Sequence, residues 1–124
     1  MFSQRKVWIG VLGVLLAISL TSNASAGCKI TISVNNTGTA ALTVDWDESK
    51  VKTKGGLWKK IKGGKNTVAP GATESHVYTA TFNCDANRRY QIFTEQGDSD
   101  QTTYIPSSST WTTDSSPTVS ISYP

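Results

Sequence analysis

The sequence predicts an all-β domain: a small antiparallel β-sandwich, immunoglobulin-like or similar, with seven to eight short strands and one disulfide. Three observations carry this. Apolar and polar residues alternate with a period of two in run after run, the pattern of strands with one buried face. Clusters of Gly, Pro, Asn, Asp and Ser separate those runs at near-regular spacing, and no helical periodicity survives past the N-terminal leader. The two cysteines, Cys28 and Cys84, follow an export-type leader, so they are expected to pair in an oxidising compartment.

Residues 1–26 read as a secretory signal peptide. Arg5 and Lys6 supply the positive start, Val7 to Leu20 is an apolar run, and Asn23-Ala24-Ser25-Ala26 offers a small-residue cleavage site. The apolar run is short for a membrane span. Cleavage before Gly27 leaves residues 27–124 as one secreted domain, bound for a bacterial periplasm or the exterior. A competing expectation comes from Ser25-Ala26-Gly27-Cys28, which is similar to a lipobox and would make Cys28 a lipidated first residue. Against it, Ser25 stands where leucine is usual, and Thr21-Ser22-Asn23 separates the apolar run from the cysteine. A domain this small buries a marginal core. A staple across so long a loop would add about 4 kcal/mol in the chain-entropy account.

The first strand is expected at Cys28 to Asn35, with Cys28, Ile30, Ile32 and Val34 on one face. Asn35-Asn36-Thr37-Gly38 is turn chemistry. Leu42, Val44 and Trp46 then alternate with Thr43, Asp45 and Asp47, a second strand expected to form a hairpin with the first and to place Trp46 in the core. Gly55-Gly56 and Gly63-Gly64 bracket Leu57 to Lys62, read as a hairpin with lysine-lined strands. Val68-Ala69-Pro70-Gly71 turns into a strand whose Tyr78, Ala80, Phe82 and Cys84 share a parity. Arg88 to Glu95 is a strand with Tyr90 and Ile92 on one face and Phe93 on the other. Gly97 to Asp100 is a loop, Thr102 to Ile105 a short strand ended by Pro106, and Thr118 to Tyr123 the closing strand.

Chemistry is sparse. His76 is the only histidine; without a demonstrable nucleophile and orienting acid it reads as a solvent-facing strand residue, and no catalytic residues are expected. Asp45, Asp47 and Glu48 read as solvated strand-edge acids, because a glycosidase pair needs a cleft. Asp98-Ser99-Asp100 lacks the glycine and closing glutamate of a calcium loop. Two distant cysteines and one histidine make no ligand set, so no metal and no cofactor are expected.

One signal departs from background. Once Arg5 and Lys6 leave with the leader, ten bases face nine acids, and residues 50–65 hold seven of those bases and none of the acids. Lys50, Lys52, Lys54, Lys59, Lys60, Lys62 and Lys65 could guard an exposed sheet edge against pairing with other chains. Edge protection is the more ordinary use of such lysines, but they could also attract an anionic polysaccharide or membrane surface, with nucleic acid ranked below both. Trp58 lies among these lysines and suits an interface or a stacking role. Trp111, in a polar run, is either an exposed binding aromatic or a plug over one end of the sandwich. The expected function is a non-enzymatic binding module built on this segment, of unassigned oligomeric state.

Two turn motifs, Asn35-Asn36-x-Gly38 and Val68-Ala69-Pro70-Gly71, faintly resemble those of the aegerolysins, small membrane-binding β-sandwiches. The resemblance covers these short pieces alone. It implies, as an alternative, a membrane-active protein of cytolysin type. A structural subunit joined through strand addition at a sheet edge is the remaining alternative.

Overall fold

A computed structural model describes residues 27–80 and 84–124. The expected leader and Phe82 lie outside the described residues. Eight strands form: β1 (Cys28–Asn36), β2 (Leu42–Thr53), β3 (Lys59–Lys60), β4 (Lys65–Val68), β5 (Thr73–Ala80), β6 (Arg88–Gln96), β7 (Ser99–Ile105) and β8 (Thr118–Ile121). They make two sheets. One is three-stranded, in the order β5-β1-β8. The other is five-stranded, β3-β2-β6-β7, with β4 also pairing β2. This is the expected small sandwich. All its pairings are antiparallel except β1 with β8, which is parallel.

The alternation read from the sequence sets the core. Ile30, Ile32 and Val34 from β1 face Leu42, Val44, Trp46 and Val51 from β2 and Tyr90 and Ile92 from β6; Val119 and Ile121 close one flank. Cys28 and Cys84 are bonded, with Cα atoms 5.2 Å apart. The bridge ties the first residue of one sheet to the segment entering β6 of the other. A disulfide fits an oxidising extracellular or periplasmic setting. Among the described residues, no helix is long and apolar enough to cross a membrane.

The expected β1–β2 hairpin does not form; the two strands belong to different sheets. The reason lies at Asn36. Its buried side chain donates to Ala40 O (2.8 Å) and Val68 O (3.0 Å) and accepts from Gly38 N (2.9 Å). That pins the following residues into a crossover, while both edges of β1 are taken by β5 and β8. Parity alone cannot distinguish a hairpin from a crossover, because both keep the apolar residues facing inward.

The lysine segment also folds differently from expectation. Its turn is at Lys54-Gly55-Gly56, with Gly56 N–H donating to Thr53 O at 2.8 Å. Lys59 and Lys60 pair back on Val51 and Lys50. The second glycine pair does not flank a hairpin. It kinks the edge between β3 and β4, through positive φ at Lys62, Gly63 and Gly64, so that β4 pairs with the other end of β2. At Gly63 a side chain is strained by the positive φ, and a Cβ there would have to displace the His76 imidazole.

Candidate binding platform

Five of the expected site residues, Lys50, Lys52, Trp58, Lys60 and Trp111, meet on the outer face of the five-stranded sheet. Cross-strand neighbours share a face, so the register decides which side chains stand together. Lys60 opposes Lys50, Lys50 opposes Gln91, and Gln91 opposes Tyr104. In the next row Lys52 opposes Arg89. Beyond the end of β7, Thr112 bridges to Arg88, which sets Trp111 beside Arg89 on the same outer side. Trp58, just before β3, completes the group.

The resulting contacts interleave cations and rings. Lys52 Nζ lies 5.9 Å from the Trp58 ring centroid and 6.0 Å from that of Trp111. The Arg89 guanidinium carbon lies 4.5 Å from the Tyr104 centroid. Trp58 and Tyr104 meet at 6.3 Å with rings tilted by 58°. Both tryptophans are half-buried, which keeps part of each ring in solvent. Cation–ring contacts of this kind contribute about 0.5–1 kcal/mol at exposed sites.

The charge arrangement is unusual. Lys50–Lys60 and Lys52–Arg89 are two adjacent like-charge pairs, and like charges directly opposite one another destabilise a sheet. None of the four reaches a carboxylate among the described residues. The ion pairs among the described residues belong to Lys65, at 3.8 Å from Asp45 and 3.5 Å from Glu95. Arg89 Nε is buried with no hydrogen-bond partner among the described residues.

The other expected lysines are dispersed. Lys54 sits exposed in the turn, Lys59 faces the opposite side of β3 from Lys60, and Lys62 sits on the kink. Lys59, Lys60 and Lys65 do lie along the sheet edge, as edge protection requires.

Two further expectations are corrected. Asp45 is not a solvated edge acid: it is 6% exposed. Its Oδ1 accepts from Asp47 N (3.1 Å) and Glu48 N (3.3 Å), holding a bulge that breaks the β2–β6 register between Asp45 and Lys50. His76 is half-buried rather than solvent-facing. Its ring stacks on Trp46 at 4.5 Å, and Nε2 lies 2.9 Å from Lys62 O.

Arg89 and Tyr104 were not singled out from the sequence. The available signal was parity, since each takes the outward position beside an inward Tyr90 or Ile105. No protein family, curated protein or solved structure matches this chain.

Proposed function

We propose that the protein is a secreted, non-enzymatic binding module whose platform of Lys50, Lys52, Lys60, Arg89, Trp58, Tyr104 and Trp111 takes an anionic glycan. The observation that carries the reading is the pair of like-charge rows with no carboxylate between them, roofed by aromatic rings. Such rows are stabilised when an anion enters. Indole and phenol faces stack on the apolar faces of sugar rings, while the cations meet carboxylate or sulfate groups. A solid acidic surface of the cell envelope would present the same chemistry.

The test is titration with polygalacturonate, followed by tryptophan fluorescence, with neutral dextran as control. Polygalacturonate is expected to bind and dextran not. Trp58→Ala is expected to weaken binding about tenfold, in line with the value of one stacked ring. Raising salt from low to high ionic strength should weaken it further. Equal binding of the neutral polymer, or a Trp58→Ala variant with undiminished affinity and an unchanged melting temperature, would sink the reading.

One observation favours a second reading. Leu57, beside Trp58 at the lysine-rich tip, is 82% exposed, as a membrane-inserting tip requires. A membrane-active protein would empty anionic vesicles of a trapped dye; a glycan binder would leave them intact.

A further inference from the structure

We propose that the β5 edge is a second interaction surface, one that receives an extended acidic peptide segment by strand addition. The argument begins with the sheet edges. The β3/β4 edge carries exposed lysines and is broken by the Lys62–Gly64 kink. The β7 edge runs from Asp98 and Asp100 into Pro106, and β8 is a four-residue strand between Pro117 and Pro124. These are the ordinary devices that stop sheets from pairing. β5 has none of them. It is eight residues long, pairs with β1 in unbroken register from Ala80 to Thr73, and contains no lysine or proline and one charge, Glu74.

The free backbone groups of β5 can be assigned. Thr31 N and Ser33 N donate toward Ser115 O and Pro117 O on the β8 side, so Ile30, Ile32 and Val34 direct their backbone at β5. Their partners there are Tyr78, His76 and Glu74. Antiparallel strands alternate these directions. The N–H and C=O groups of Thr73, Ser75, Val77 and Thr79 therefore point away from the sheet. Among the described residues, no loop bonds to the backbone of Ser75, Val77 or Thr79. Val77 is 54% exposed.

The surroundings say what would dock. Between the β5 edge and the β2–β3 hairpin lies a hollow of about 30 Å³, lined by Val51, Leu57, Lys59, Tyr78, Ala80 and Arg88. It has room for a small side chain from an added strand. Lys59 stands at this hollow, and farther along β5 the His76 ring meets the backbone carbonyl of Lys62. Of the acids around it, Glu74 lies on β5 itself, Asp85 follows the Cys84 that is bonded to Cys28 opposite Ala80, and Asp47 Oδ1 already accepts from Gly63 N and Gly64 N (3.2 and 3.3 Å). Main-chain bonding supplies affinity in strand addition and side-chain pockets supply selectivity. Here Lys59, exposed at the hollow and without a carboxylate partner among the described residues, selects for acid.

The experiment uses three octapeptides that alternate valine with aspartate, serine or lysine, and reads amide hydrogen exchange at Ser75, Val77 and Thr79. The aspartate peptide is expected to slow these amides about tenfold or more at millimolar concentration, as a formed ladder does, and the lysine peptide not at all. Val77→Pro removes an outward N–H without touching the β1 ladder, since proline is tolerated where the N–H faces solvent. It should abolish peptide binding while polygalacturonate binding at the platform persists. Lys59→Glu should weaken the aspartate peptide about fivefold or more and favour the lysine peptide, as a reversed charge near the surface does. Three results would overturn the proposal: no protection by any peptide, equal protection by the lysine and aspartate peptides, or concentration-dependent protection without peptide, which would make a second copy the occupant. Should Val77→Pro fail to fold, the wild-type exchange pattern with the three peptides still decides the matter.

Discussion

Tyr90 stands fully buried on the inner face of β6, and its hydroxyl has no hydrogen-bond partner among the described residues. Burial pushes its phenol from 10.0 up to about 12; the Arg88 charge works against the shift, and Asp114 and Tyr78 add to it. Below pH 10 the phenol is neutral in both folded and unfolded chains, and its contribution to stability is present in full. Between pH 10 and 12 the unfolded chain ionises first, so stability falls as pH rises, by up to about 2 kcal/mol from this group. Tyr90→Phe deletes the orphan hydroxyl and keeps the ring. At pH 7 the variant should be as stable as the wild type or up to about 1 kcal/mol more stable, and it should lose that part of the alkaline decline. Urea midpoints at pH 7 and between pH 10 and 11.5 check both. An unchanged alkaline slope would show that Tyr90 does not control it.

At the scale of the element, β2 is the strand on which both the sandwich and the platform depend. It changes partner along its length, from β4 to β3 on one side, and it carries a bulge on the other. Ser49 closes that bulge. It is fully buried; its Oγ donates to Asp45 O at 2.7 Å and accepts from Phe93 N at 3.0 Å. Ser49→Ala leaves both backbone groups without that partner, and the expected loss is about 2 kcal/mol in chemical denaturation. Because the bulge sets the phase of Lys50 and Lys52, polygalacturonate binding should weaken with it; unchanged stability would mean that water replaces the hydroxyl. How much of this could be read from the sequence follows from what alternation encodes. It reports which way a side chain points, so the inward set of β1, β2 and β6 and the core position of Trp46 were legible. It does not report partners, so the β1–β2 crossover, the bulge and the burial of Asp45 were hidden. Lys52, Trp58 and Trp111 were picked out singly by residue type. Their meeting depends on a cross-strand register that places residues far apart in sequence side by side.

The whole molecule is two sheets that share one side-chain core and, at one end, one covalent tie. Cys28 and Cys84 are 56 residues apart in sequence and join the start of β1 to the approach to β6. A bridge of that span removes loop-closure entropy from the unfolded chain, worth about 4 kcal/mol in the chain-entropy account. Domains of this size are stable by about 5–15 kcal/mol in total. The double variant Cys28→Ala/Cys84→Ala should therefore remain folded at 25 °C while losing about 3–4 kcal/mol, read from urea unfolding of the oxidised wild type beside the variant. The entropic origin makes a second demand. The released unfolded chain expands and exposes more surface, so the slope of stability on urea should steepen in the variant. A loss of that size with an unchanged slope would place the bridge's effect in the folded state, in the packing of Cys28 against Ala80 and the core. A loss below about 1 kcal/mol would mean that the unfolded chain already holds these two segments together without the bond.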